Sequence, residues 1–111
     1  MTRTIPEADW KIYRELNPLA LQRLCERILA EVRAETQKPG KTAHEKYLSV
    51  FNLVKRRDRD IARAFDDFRR STALTQIGIL HQMGLLTIEE LNRFSPETRQ
   101  ILALFASISE S

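Results

Sequence analysis

The side chains best able to do chemistry in this sequence are Asp66, Asp67, Arg69 and Arg70, with His81 eleven residues beyond. On a helix, Asp66 meets Arg69 and Arg70, and Asp67 meets Arg70 and Arg63, at i,i+3 or i,i+4 spacing. Such pairs neutralise one another as a solvated face, each contributing a few tenths of a kcal/mol. The sharper alternative uses Arg70, which borders an uncharged run and has the planar fork to reach a carboxylate or phosphate across an interface. His81, beside Gln82, has the chemistry of a general base in a pocket. A histidine near a helix C-terminus, bonded to a backbone carbonyl, is the plainer expectation. A small-ligand pocket or enzyme here requires all five residues to converge.

Other chemistry is thinly supplied. Only His44, His81 and Cys25 are available as softer metal ligands, and neither HExxH nor ExxH spacing occurs. Metal sites need several such groups together. Cys25 falls mid-helix on an apolar stripe, where a free cysteine is usually a small buried hydrophobe rather than a nucleophile. Pro39-Gly40-Lys41-Thr42 holds a Gly-Lys-Thr without the upstream glycine of a phosphate loop, although it precedes a helix start. The expectation is no catalytic residue, no cofactor and no metal.

Charge is unevenly placed. The formal net charge is +3. Between Lys38 and Arg63, however, eight basic residues stand against Glu45, Asp58 and Asp60, so the segment alone is +5. From Leu86 to the end, four glutamates face two arginines, giving −2. This asymmetry can steer a polyanion or pair two subunits. The candidate anion or nucleic-acid contacts are Lys41, Lys55, Arg56, Arg57, Arg59 and Arg63. Two aspartates interrupt them, and no aromatic residue is spaced for base stacking. A helix-turn-helix over Leu86–Leu104 would offer only Arg99 and Gln100 to bases, in acidic surroundings.

The elements that must position these residues follow from the apolar pattern. The 18 residues Ser71–Ile88 carry no Asp, Glu, Lys or Arg in a chain that is 30% charged. Gln76, His81 and Gln82 interrupt the run, which is too polar to span a bilayer; it is expected to be buried in protein. Ile61, Phe65, Phe68, Thr72, Ile79 and Met83 fall on one helical stripe, which predicts a central buried helix over about 58–83. Gly84 is placed to end it in a left-handed conformation, and Gly78 reads as a close approach of another helix.

Around it the spacing predicts a first helix from Thr4 to Asn17, carrying Trp10 and Tyr13, and a second from Pro18 to about Glu35. A third opens at a Thr42–Glu45 capping box and carries Tyr47, Leu48, Phe51 and Val54 with Leu53 beside them. It is expected to break before the central helix. A short fifth opens at Thr87–Glu90 with Ile88, Leu91 and Phe94 inward. A sixth starts at Ser95-Pro96-Glu97 with Ile101, Leu102, Phe105 and Ile108. Arg23, Glu26, Arg27, Glu31 and Arg33 read as a solvated face.

Taken together, 111 residues with one cysteine predict a single all-α domain over 1–111. The expected architecture is a compact orthogonal or bundle-like fold of about six helices. Met1–Pro6 has no apolar core of signal-peptide length, so a cytoplasmic, membrane-free protein is expected. The function expected is a non-catalytic, self-associating helical interaction module, a homodimer or a binder of a protein partner. Nucleic-acid binding through Lys38–Arg63 is the alternative, and a ligand pocket or enzyme around His81 is the second alternative.

Overall fold

A computed structural model describes residues 4–110, and side-chain surroundings for residues 4–107. The described chain is all-α and bundle-like: α1 (Glu7–Thr36), α2 (Ala43–Phe65), a 3-10 turn (Arg70–Thr72), α3 (Ala73–Gln82), α4 (Ile88–Leu91) and α5 (Pro96–Glu110). Five helices replace the six expected, because two boundaries differ.

The first difference is at Asn17-Pro18. Here α1 runs unbroken for 30 residues with Pro18 inside it. A helix-interior proline costs about 3 kcal/mol. It is tolerated because Tyr13, Leu16, Ala20, Leu24 and Ile28 keep one phase across it and are all buried. Pro18 itself faces solvent, so packing on the opposite face outweighs the local signal. The N-cap is Pro6, whose carbonyl accepts from the Trp10 N–H, and Thr4 does not cap.

The second difference removes the helix expected over 58–83. Residues 43–65 form one helix, so there is no break near Lys55–Asp58, and the chain instead leaves the helix at Asp66–Arg69. The helix ends there although Asp66-Asp67 face the negative end of its macrodipole. The turn is then held by the Thr72 hydroxyl, which donates to Asp67 O at 2.8 Å. Phe68, expected on the buried stripe, is 42% exposed and packs with its ring tilted against Trp10 and Tyr13.

The dry centre is where the uncharged run placed it. Ala73, Ile77, Leu80 and Leu85 are essentially inaccessible, while Leu74, Ile79 and Met83 pack against them half-buried. Gly84 has φ +72°, and its N–H donates to His81 O while the Leu85 N–H donates to Leu80 O, a complete Schellman stop for α3. A methyl group on Gly78 would lie 3.0 Å from the Phe105 ring, so α3 and α5 do meet there. Gln76, with its amide oriented to suit its neighbours, donates to Ala64 O and Arg63 O and ties α3 to the end of α2.

Arg23 and Arg27 are not simply solvated. They donate to Leu85 O and Met83 O, each at 2.9 Å, placing cations at the negative end of α3. Arg23 also grips Glu90 with two hydrogen bonds of 2.7 and 2.8 Å. With the Thr87 capping box behind it, this grip lowers the Glu90 carboxyl from 4.5 to about 2. Burial pushes the Tyr13 phenol up to about 12.

The molecule measures 52 × 27 × 27 Å with a radius of gyration of 16.9 Å, well above the roughly 13 Å of a compact chain this long. The buried cluster ends at Ile28 on α1 and at Ala64 on α2, with Val32, Ile61 and Phe65 packed at its edge. Beyond it the two long helices continue as a hairpin arm, residues 29–36 and 43–60. Ile108, counted in the expected α5 stripe, lies outside the described side chains.

Candidate interaction surface

The arm is built by local rules. Gln37-Lys38-Pro39-Gly40-Lys41 forms the loop, with Gly40 at φ +75°. Thr42 and Glu45 close a full capping box at the start of α2. Across the two helices, the Arg57 guanidinium holds Glu31 through Nε at 3.0 Å and Nη2 at 2.8 Å, and its Nη1 holds Asp60 at 3.1 Å. That grip lowers the Glu31 carboxyl and raises Arg57. Leu53 is buried at 3% exposure.

The expected apolar stripe of α2 faces solvent, and Leu53 beside it in sequence is buried. Tyr47, Leu48, Phe51 and Val54, the apolar stripe expected on this helix, are exposed, Tyr47 by 64% and Phe51 by 50%. At 100° per residue, His44, Tyr47, Leu48, Phe51, Val54, Lys55 and Asp58 share an arc of about 120° centred on Phe51. All seven are exposed. The Tyr47 and Phe51 rings stack 6.4 Å apart, and Lys55 Nζ stands 5.6 Å over the Phe51 ring. The physical reason is length: α3, α4 and α5 are too short to follow α1 and α2 outward, so none of the described residues covers this side of the arm. Leu29 on α1 is 59% exposed, and Ile88 on α4, expected inward, is 73% exposed.

The Asp66–His81 cluster is divided. Arg70 turns to α1, donating to Ile5 O at 3.0 and 3.1 Å and to Glu7 at 2.7 Å. It therefore does reach a carboxylate across an interface, within its own chain. Asp67 pairs with Arg69 at 2.7 Å, two residues apart, because the backbone there is not helical. Asp66 is the exposed C-cap of α2. His81 is half-buried in the last turn of α3. Arg70 precedes the start of that helix, so about 15 Å of helix separates the two.

Among the basic candidates, Arg57 is committed to Glu31 and Asp60, and the Arg63 Nη2 lies 3.4 Å from Gln82 Oε1. Lys55, Arg56, Arg59 and Arg63 share one flank of α2. Lys41 stands in the loop before the capping box.

One polar constellation is hard to see in the sequence. Asp9, 2% exposed, accepts from Ser95 N at 2.9 Å, Ser95 Oγ at 2.7 Å and Thr98 Oγ1 at 2.6 Å. Ser95 Oγ also accepts from the Thr98 N–H, as an N-cap does. The carboxylate of α1 thus completes the cap of α5. Its only sequence signal is phase: Asp9 lies four residues before Tyr13, in register with the buried stripe. An open groove of about 640 Å³ runs past Ile5, Arg70, Leu74 and Thr98, but the Arg70 guanidinium on its wall is already engaged by Ile5 O and Glu7.

Among the described residues no helix is long and apolar enough to cross a membrane, and no three His, Cys, Asp or Glu residues are grouped to hold a metal ion. No protein-family model, curated protein or solved structure matches the chain.

Proposed function

We propose that the protein is a cytosolic, non-catalytic helical interaction module that acts by self-association, as a homodimer. The observation that supports this reading is the open side of the arm. Tyr47, Leu48, Phe51 and Val54 together expose on the order of 400 Å² of largely apolar surface. A contiguous patch of that size is at the level where surface patches on monomers are commonly functional. The cytosolic part rests on the lone Cys25, which suits a reducing compartment. Multi-angle light scattering over a dilution series tests the reading. The expected result is a mass of twice 12.9 kDa at high concentration, falling toward the chain mass on dilution. A single chain at every concentration overturns it.

One observation favours a second reading, nucleic-acid binding: Lys55, Arg56, Arg59 and Arg63 lie on one flank of an exposed helix. Asp58 nearby and the commitment of Arg57 to Glu31 weaken it. Filter binding that weakens steeply with added salt supports this alternative, and no retention at low salt removes it.

A further inference from the structure

We infer that the occupant of the open α2 face is the α2 of a second copy, packed antiparallel with Phe51 on the two-fold axis. This rests on the self-association reading above and specifies its surface and register. His44, Phe51 and Asp58 are spaced by seven, so they stay within about 20° per step of one line along the helix. Glu45, Asn52 and Arg59 repeat the same spacing on the adjoining flank, and all six are exposed.

An antiparallel pair centred on Phe51 is complementary to itself. Tyr47 and Leu48 meet the partner's Lys55 and the partner's Val54, extending the cation–ring contact that Lys55 already makes with Phe51. His44 faces the partner's Asp58. In an antiparallel pair each flank meets its own counterpart, so Glu45 faces the partner's Arg59, twice per dimer, and Asn52 faces the partner's Asn52. Every acid on this face thereby finds a base or an imidazole.

An acidic helix or an anionic lipid surface would suit the four basic residues. It would, however, set its own negative charge against Asp58 and Glu45. That difference decides for the second copy. The apolar area, about 400 Å² per copy, sits at the low end of specific interfaces, so the dimer should dissociate within an accessible concentration range.

The test uses the full chain. Asn52→Cys in a Cys25→Ser background is expected to give a covalent dimer with a short bismaleimide, whereas Ser107→Cys in the same background does not. Phe51→Glu is expected to weaken dimerisation by about 100-fold or more, with helix content and dilute melting temperature unchanged because Phe51 is half-exposed in the single chain. Arg59→Glu weakens it by roughly tenfold, and mixing it with Glu45→Arg, whose own α2 start is weakened by loss of the bond to the Thr42 N–H, restores a heterodimer with two matched pairs. A dimer that resists Phe51→Glu and fails to cross-link at Asn52→Cys overturns this register but leaves self-association standing. A single chain at all concentrations removes both, and one that co-sediments with phosphatidylglycerol vesicles shows the occupant to be a membrane surface.

Discussion

The two ends of this molecule carry similar apolar stripes and use them in opposite ways. At one end Tyr13, Leu16, Ala20 and Leu24 on α1 meet Ile77 and Leu80 on α3, and all are buried. On the arm, Tyr47, Leu48, Phe51 and Val54 form an equally regular stripe that faces outward. Helical periodicity says that a face must be covered; it does not say by what. At the core end three short elements supply the cover, and on the arm the described residues offer none.

Substitution should separate the two ends most sharply. Leu80→Ala removes a side chain with no solvent access and is expected to cost about 3–5 kcal/mol in urea denaturation. Phe51→Ala, measured at concentrations where the chain is single, is expected to change stability by less than about 0.5 kcal/mol. A large effect of Phe51→Ala on the dilute protein would erase the distinction.

The contact between α1 and α5 comes next. Asp9→Ala strips three donors of their acceptor in a buried site and is expected to cost about 2–4 kcal/mol. Denaturation together with the loss of helical signal from α5 checks it. A loss below about 0.5 kcal/mol would show that Ser95 caps α5 unaided.

How far this contrast is legible in the sequence depends on the signal. Thr42–Glu45, Thr87–Glu90, Gly84 and the uncharged stretch containing Ile77 and Leu80 are local, and each appears in the structure as expected. Pro18 misleads because its cost is local, whereas the burial that outweighs it is spread from Tyr13 to Ile28. The stripe of Tyr47 and Phe51 is ambiguous for another reason: a 3.6-residue period is identical for a face covered within the chain and one left open. Leu53 lies on the opposite side of α2, in phase with Val50, Ile61 and Ala64, but Arg57 and Asp60 interrupt that face, and it is the arm residue that is buried. Asp9 is illegible as a site because its partners lie 86 and 89 residues away.

Acid should weaken the core end. The Glu90 carboxyl titrates at about 2 when folded, against 4.5 as its ordinary value. Its stabilisation is therefore present above pH 4.5 and is lost as the pH falls from there through about 2. Screening at the half-exposed Arg23 reduces the effect to about 1–2 kcal/mol. Glu90→Gln should flatten that part of the stability–pH curve; an unchanged curve would show that the Arg23 pair is not its source.

The smallest effect is expected at the arm's own ion pair. Glu31→Gln loosens Arg57, but both side chains are about one-third exposed, so global stability should fall by less than about 1 kcal/mol. Local opening of residues 29–36 and 43–60 should rise instead, seen as faster amide exchange confined to the arm.

Amide hydrogen exchange of the unmodified protein at low and high concentration reads out whether a second copy covers α2. Exchange along α2 from about residue 44 to 58 is predicted to slow as concentration rises, while α3 around Ile77 and Leu80 stays slow and unchanged throughout. Arm exchange that is independent of concentration would contradict the claim that the open stripe is covered by a second copy.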